Sequence, residues 1–227
     1  MRTLQTLFLT AALTAPALLA DEHAAERLND ATTVIQEMTK MDDKGIPQDL
    51  IDKAQCVIVV PGLKKAGFIV GAKYGRGYAA CRKPAHAGWT APAAIRIEGG
   101  SVGFQIGAAE QDVILLVMNE TGQKKLLQSK FTIGGEATAA AGPVGRDATA
   151  QTDAQLRAEM LSYSRSRGLF AGISLQGATL RPDESANKEL YGRATDNKSI
   201  LAGNVKAPDS AASFEAALSR QSMRKEG

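Results

Sequence analysis

Residues 61–107 read PGLKKAGFIVGAKYGRGYAACRKPAHAGWTAPAAIRIEGGSVGFQIG, and the fold depends on this stretch. Ten of the chain's 22 glycines lie between Gly62 and Gly107. Val102, Phe104 and Ile106 alternate with small or polar residues, which is the period-two pattern of a half-buried strand. Glycine inside a strand marks a bulge, a bend or a close approach to the backbone. The stretch therefore predicts a strongly bent, glycine-rich β-sheet or a partly closed barrel.

The same part of the chain carries a local positive charge, although all 227 residues together have a formal net charge of only +3. Between Lys53 and Ile97 there are eight bases and no acid. The bases are Lys53, Lys64, Lys65, Lys73, Arg76, Arg82, Lys83 and Arg96. Charge alone is explained equally well by a solvated face and by a surface that binds an anion such as a lipid headgroup. Nucleic acid is disfavoured, because the total charge is near neutral and only 5% of residues are aromatic.

The N-terminal 20 residues have the pattern of a secretory signal peptide. Arg2 is positive, the run from Leu4 to Leu19 is mostly apolar, and the small residue Ala20 precedes Asp21. A membrane anchor is the alternative, but the run is shorter than the roughly 20 apolar residues that a spanning helix needs. We expect cleavage near Ala20 and a periplasmic or secreted protein that can associate peripherally with a membrane.

Export permits disulfides, and the chain has two cysteines, Cys56 and Cys81, both in strand-like sequence. A bridge between them would contribute roughly 3 kcal/mol on the chain-entropy estimate, and two buried free thiols are the alternative. We expect the bridge because of the compartment. We expect no metal and no cofactor, since the two sulfurs have only His23 and His86 as further soft ligands.

A single largely antiparallel domain is expected over residues 46–193. Turns are predicted at residues 73–76 and at Gly99-Gly100, where glycines interrupt strand-like runs. The unbroken apolar run of residues 113–118 predicts a buried strand, and regular alternation over residues 147–160 predicts another. The polar segment that follows Pro182 is predicted to be a surface loop.

Helices are expected at both ends of this domain. The first falls within residues 21–45, where an apolar stripe recurs at helical spacing. The stripe consists of Leu28, Ala31, Ile35 and Met38. Residues 21–43 contain seven acids and two bases, whereas a helix that lies on anionic lipid presents Lys and Arg. A helix packed on the domain is therefore favoured over a membrane-seeking one. Residues 194–227 are expected to be a C-terminal extension with a short helix.

Six ordered blocks of the chain resemble the SYLF domain family, a lipid-binding module of bacterial secreted proteins and of eukaryotic membrane-trafficking and actin-patch proteins. The blocks are residues 61–68 (PGLKKAGF), 71–77 (GAKYGRG), 88–92 (GWTAP), 99–107 (GGSVGFQIG), 142–146 (GPVGR) and 162–177 (SYSRSRGLFAGISLQG). The likeness runs from about Ile46 to about Gly192. It implies a binding module with no known chemistry.

A hydrolase is the weakest alternative. Gly99 to Gly103 matches the G-x-S-x-G pattern, which requires a strand, a sharp turn, a helix, and a histidine later in the chain. No histidine follows Ser101, and the residues after it continue as strand-like sequence. We therefore expect no catalytic residue.

Together these features predict an exported, non-enzymatic module that binds anionic phospholipid headgroups such as those of phosphatidylglycerol or cardiolipin. The expected lipid-binding residues are Lys64, Lys65, Lys73, Arg76, Arg82 and Lys83. An envelope structural protein, or a domain that binds envelope proteins without lipid, is the alternative. Nucleic acid is not expected as a partner because of the export signal, the near-neutral total charge and the few aromatics. Actin is not expected because it does not belong in a bacterial periplasm.

Overall fold

A computed structural model describes residues 15–38, 45–67, 70–84, 88–102, 107–145, 157–166 and 169–222. The α-helices are α1 (Ala15–Glu37), α2 (Gln48–Lys53), α3 (Glu120–Leu126), α4 (Glu184–Tyr191), α5 (Asn197–Leu201) and α6 (Ala212–Gln221). A 3-10 turn at Asp209–Ala211 precedes α6. The strands are β1 (Cys56–Gly67), β2 (Val70–Cys81), β3 (Ala93–Val102), β4 (Gly107–Val117), β5 (Phe131–Thr132), β6 (Ala139–Ala141), β7 (Met160–Ser166), β8 (Leu169–Gly172) and β9 (Thr179–Pro182).

In the described part of the chain, nine strands form one sheet. Their order is β5-β9-β3-β2-β1-β4-β7-β6, and β8 pairs with β7. The pairs are antiparallel except for β6 with β7. The sheet curls strongly into a half-barrel with helices at both ends of the chain. The predicted α+β class with a strongly bent sheet is confirmed.

Each face of the sheet has its own apolar core, because successive side chains of a strand point to opposite faces. Val57 and Val59 of β1 pack on one face with α1, α2, α4 and α6. Cys56, Ile58 and Val60 point to the other face, where they meet residues from both ends of the strand order. This second face is therefore the concave one. The buried strand predicted from residues 113–118 is confirmed as part of β4.

Strand β1 bulges at Pro61-Gly62, and a bulge bends its strand. The pairing with both neighbouring strands shifts register there, and Gly62 adopts φ +56° while its N–H donates to Asp112 Oδ1 at 3.0 Å. On β2, Gly77 faces this bulge, and a Cβ at Gly77 would lie 2.0 Å from the carbonyl oxygen of Val59. Only a residue without a side chain lets the two strands approach this closely.

The apolar stripe of α1 lies against the convex face. Leu28, Ala31, Ile35 and Met38 are buried in the core there, and the Tyr78 hydroxyl of β2 donates to the carbonyl oxygen of Ala24 at 2.7 Å. This is the packed arrangement that the acidic composition of the helix favoured. The cleavage position predicted near Ala20 falls inside α1 and stays a prediction, as do the domain boundaries. Among the described residues, no helix combines the length and apolarity needed to cross a membrane.

Three local predictions are wrong. Residues 73–76 and Gly99-Gly100 lie inside the continuous strands β2 and β3 rather than in turns. A Cβ at Gly75 would lie 2.6 Å from Val60 Cγ1, and one at Gly99 would lie 2.8 Å from the carbonyl oxygen of Gly177, so these two glycines permit close packing and do not reverse the chain. The segment after Pro182 is helix α4, whose first turn is capped by the Asp183 side chain accepting from the Ala186 N–H. Of the strand predicted over residues 147–160, positions 147–156 lie outside the described residues. Among the remaining positions only Met160 lies in a strand, at the start of β7.

Candidate anion-binding site

The bulge in β1 decides which way the first two predicted site residues point. Lys64 pairs across the sheet with Tyr74, and Lys65 pairs with Lys73. Leu63 is buried in the concave core, so Lys65, two residues further along, lies on the concave face. Lys64 lies on the convex face. Lys64 and Lys65 are thus neighbours in sequence but lie on opposite faces of the sheet.

On the concave face, Lys65 and Lys73 form a pair of like charges. Only 6% of Lys73 is exposed, and its Nζ donates to the carbonyl oxygen of Gln176 at 3.2 Å. Burial lowers the pKa of Lys73, and the charge of Lys65 lowers it further. Burial also lowers the pKa of Lys65. Neither ammonium forms an ion pair with any carboxylate in the described part of the chain.

On the convex face, Lys64 is exposed between two exposed neighbours. Tyr74, with 46% of its surface exposed, lies across from it on β2, and Glu110 lies across from it on β4. We call Lys64, Lys65 and Lys73 together the lysine end of the sheet.

Arg76 is bound into the scaffold. Its Nε donates to the carboxylate of Asp183, and its Nη2 donates to the Ser185 hydroxyl at 3.2 Å. The Asp183 side chain is only 1% exposed. Burial alone would raise the pKa of Asp183, but hydrogen bonds from Arg76 and Ser185 bring it below the ordinary value. The hydrogen bond to Asp183 raises the pKa of Arg76. This pair fixes α4 to β2.

Arg82 is also engaged inside the protein. Its guanidinium donates to the carbonyl oxygens of Ile51, Asp52 and Ala54 at 2.9–3.1 Å, at the C-terminus of α2. It also lies 4.6 Å from the ring centroid of Trp89. Cationic donors stabilise the unpaired carbonyls at a helix C-terminus, so Arg82 caps the C-terminus of α2 and holds it next to β2.

The other end of the β1–β2 hairpin carries the two cysteines. Cys56 and Cys81 lie opposite each other in the register and form a disulfide, with sulfurs 2.03 Å apart. The predicted bridge is confirmed. Lys83 follows at this end. Burial raises the pKa of Glu215 above its ordinary value, and the charge of Lys83 partly opposes this rise. We call the disulfide, Arg82 and Trp89 the closed end of the hairpin.

The predicted basic surface is therefore divided into a lysine end, a mid-strand ion pair at Arg76, and a closed end that holds Arg82, with Lys83 next to it in the chain. The structure brings Lys65 and Lys73 together, with Lys64 on the opposite face of the same strand. Sequence reasoning missed the Gln176 carbonyl, which no local pattern marks. It also missed Asp183, although an aspartate after a proline and before a polar run is a recognisable helix start.

Other chemistry finds little support in the described residues. They contain no group of three or more His, Cys, Asp or Glu side chains placed to hold a metal ion. Ser101 lies in β3 rather than between a strand and a helix, so the context that a nucleophilic serine of the G-x-S-x-G type requires is missing.

Sequence comparison with known proteins identifies the family. A sequence model of the family named Ysc84, described as "Las17-binding protein actin regulator", matches residues 98–221. The chain belongs to the Ysc84 family. This is the SYLF family of the sequence resemblance, which is confirmed. Its description is that of a binding protein and regulator rather than of an enzyme.

Several members of the Ysc84 family are similar over most of this chain. "SH3 domain-containing YSC84-like protein 1" of Xenopus laevis is 37% identical over 171 residues, which are 75% of this chain and 50% of that protein. "Protein YSC84" of Saccharomyces cerevisiae is 32% identical over 172 residues, 74% of this chain and 36% of its own length. "LAS seventeen-binding protein 3" of the same species is 32% identical over 169 residues, 73% of this chain and 36% of its own length. The chain thus spans about half the length of the Xenopus relative and 36% of the length of each yeast relative.

These comparisons overturn one expectation. Actin was not expected as a partner, and the family to which the chain belongs is described as an actin regulator that binds Las17. The expectation is wrong because it was drawn from the assumed compartment, whereas the family description concerns the domain itself.

Proposed function

We propose that this Ysc84-family chain is a non-catalytic binding module that attaches to anionic phospholipid surfaces through its lysine end. One observation carries the proposal. Of the six predicted cations, Lys64, Lys65 and Lys73 gather at one end of the sheet, where no carboxylate among the described residues forms an ion pair with them. Arg76 and Arg82 are already bound to internal acceptors.

The attraction expected at such an end is electrostatic. Each Lys or Arg close to an anionic bilayer contributes roughly 1 kcal/mol, and the contribution falls off within a Debye length of about 8 Å at physiological salt. Three lysines would give weak, reversible and salt-sensitive attachment. The exposed ring of Tyr74 beside Lys64 suits the interface between headgroups and water.

The test is co-sedimentation of the full chain with vesicles of phosphatidylglycerol or of phosphatidylcholine over a salt series. We expect binding to the anionic vesicles alone, weakening as salt rises. A triple variant, Lys64→Glu, Lys65→Glu and Lys73→Glu, should lose this binding. The matched control changes the exposed residues Lys130, Lys188 and Lys206 to Glu, which alters the net charge equally.

The control triple variant should still sediment with the anionic vesicles. Equal loss in both triple variants would mean that net charge alone drives attachment, and the assignment to the lysine end would fall. Salt-insensitive binding to both vesicle types would instead point to apolar insertion.

A protein partner in actin regulation is the second candidate function, and the family description and the names of the relatives favour it. Co-sedimentation of the full chain with actin filaments tests it directly. Binding that survives in the lysine-end triple variant would assign actin to another surface. Absence of binding would leave filament contact to the parts of the longer relatives that this chain does not span.

We further propose that the chain is exported, on the basis of the signal-peptide pattern of residues 1–20. Intact mass of the protein recovered from the periplasm or medium tests this. A chain shortened by about 20 residues is the expected result, and a full-length chain retained in the cytoplasm would contradict export.

A further inference from the structure

The pairing of Lys65 with Lys73 is unfavourable in the free protein. Like charges directly opposite each other on neighbouring strands destabilise a sheet, and these two share the concave face. Within the described part of the chain, Lys73 Nζ donates one hydrogen bond, to the carbonyl oxygen of Gln176, which is a neutral acceptor. Two of its three N–H donors are therefore left for another acceptor, as are those of Lys65.

The row of residues beyond these lysines, towards the end of the hairpin, consists of Gly107, Gly67, Gly71 and Ser101, in register. Three of these four residues are glycines, so they place no side chain over the ammonium groups. On the other side of the pair, Leu63 begins the apolar core. The lysines thus lie on the concave face between its apolar core and this glycine row, which we call the rim.

A third donor lies nearby on the same face. Gln111 of β4 pairs with Leu63, two positions along from Ala109, which pairs with Lys65. Its Nε2 is buried without a hydrogen-bond partner. Buried donors are almost always satisfied in folded proteins, so an amide without a partner on the face that carries Lys65 and Lys73 indicates a place for an acceptor.

We infer that Lys65 and Lys73 hold one phosphate-type oxyanion on the concave face, in a recess between the rim and the apolar core that begins at Leu63. The phosphate belongs either to a lipid headgroup that enters from the rim or to free phosphate in solution. The inference rests on the proposed function for the lipid source and deepens it, because it assigns a discrete site of one anion per chain. Lys64, on the convex face, contributes only to the general attraction.

Binding at this site is linked to protons. An oxyanion between the two ammonium groups favours their charged forms and opposes the burial that lowers their pKa values. Binding therefore takes up protons wherever the free pair is partly neutral. The affinity for the anion should fall as the pH rises through the alkaline range below 10.5, the ordinary value for lysine.

Titration calorimetry with inorganic phosphate is the first test, on the full chain in a phosphate-free amine buffer. We expect one site per chain. Lys73→Met and Lys65→Met should each weaken it by about tenfold or more, because each removes a charge-assisted hydrogen bond. Lys73→Arg should bind more tightly than Lys73→Met. Lys64→Met is the matched control, one residue away on the other face, and should stay within about twofold of the wild type.

Thermal unfolding of each variant shows whether it is folded, and Lys65→Met on the less buried partner gives an independent reading if Lys73→Met is perturbed. Unchanged phosphate affinity in both Met variants would overturn the site. So would equal weakening in Lys64→Met.

Vesicles distinguish the two sources of phosphate and separate this inference from the proposed function. If phosphatidylglycerol vesicles compete with free phosphate and lose affinity in Lys73→Met, the headgroup occupies the recess. If vesicles bind equally well to wild type and Lys73→Met, the recess is not used by lipid, and the attachment through the lysine end survives without it. If phosphate binds but vesicles do not, the proposed function fails while the oxyanion site stands.

Discussion

The two ends of the β1–β2 hairpin use their cations in opposite ways. At the closed end, Cys56 is bonded to Cys81, and Arg82 is held between the C-terminus of α2 and the ring of Trp89. At the lysine end, Lys65 faces Lys73, and the neighbouring row is mostly glycine. The guanidinium of Arg82 at the closed end is bound by acceptors inside the fold, whereas Lys65 and Lys73 at the lysine end have no carboxylate partner among the described residues. A run of bases in a sequence does not reveal this division.

The largest expected effect comes from opening the closed end. The double variant Cys56→Ala, Cys81→Ala removes a bridge across 25 residues, which the chain-entropy estimate values at about 3.5 kcal/mol of unfolding free energy. Urea unfolding of the variant and of reduced wild type measures it, and the two losses should agree. A loss below about 1 kcal/mol would show that the closed end is held by its packing instead.

Removing Arg76 should cost nearly as much. Arg76→Met leaves the carboxylate of Asp183, buried at the start of α4, without its charged partner, and breaking such a pair costs about 3 kcal/mol. Urea unfolding gives the value, with the exposed Arg220→Met as control. Adding Asp183→Asn to Arg76→Met should recover part of the loss, since the uncompensated charge is then gone. No recovery would place the effect in lost packing of the arginine stem.

Arg82→Ala should have an intermediate effect. It removes the donors to three carbonyl oxygens at the end of α2 and the stacking on Trp89, for a loss of about 2 kcal/mol. Trp89 is the chain's one tryptophan, so its fluorescence should change in the folded state. Lys83→Ala, one residue along, should change stability by less than about 0.5 kcal/mol. Equal losses of stability in Arg82→Ala and Lys83→Ala would contradict the claim that Arg82 is held inside the fold.

The smallest effect, and one of opposite sign, is expected at the lysine end. Lys73→Met should leave stability unchanged or raise it by up to about 1 kcal/mol, because it removes one of two facing charges. The pKa of Lys73 is lower in the folded protein than in the unfolded chain. At pH values between these two pKa values the unfolded chain binds more protons than the folded one, so the stability of the wild type rises with pH in this range. The advantage of Lys73→Met should therefore be greatest near neutral pH and shrink towards pH 10.5. Urea unfolding in phosphate-free buffers from neutral to alkaline pH measures it, and an advantage that grows with pH would contradict the burial of a charged Lys73.

Much of the fold could be predicted because its signals are local. The unbroken apolar run over 113–118 predicts a buried strand, and the stripe on α1 predicts a packed helix. The bridge was predicted for a different reason, the export compartment that the first 20 residues indicate. The glycines misled the prediction at residues 73–76, because a glycine that permits close approach of two strands looks the same in sequence as one that reverses the chain.

The site was less predictable than the fold for a related reason. Which face Lys65 takes depends on the extra residue in the bulge at Pro61-Gly62, and a shift of one residue moves every later side chain to the other face. The engagement of Arg76 depends on Asp183, more than a hundred residues away in the chain. Sequence could identify the cations, but only the three-dimensional structure shows which of them are paired with a carboxylate.

The most direct measurement of the central claim is an NMR titration of the lysine side chains in the full chain, with and without inorganic phosphate. The account predicts that the amines of Lys65 and Lys73 titrate below 10.5, and that phosphate moves both pKa values upward. Phosphate should leave the Lys64 resonances in place. If Lys65 and Lys73 titrate at the ordinary lysine value and do not respond to phosphate, the lysine end is a solvated surface and the account is contradicted.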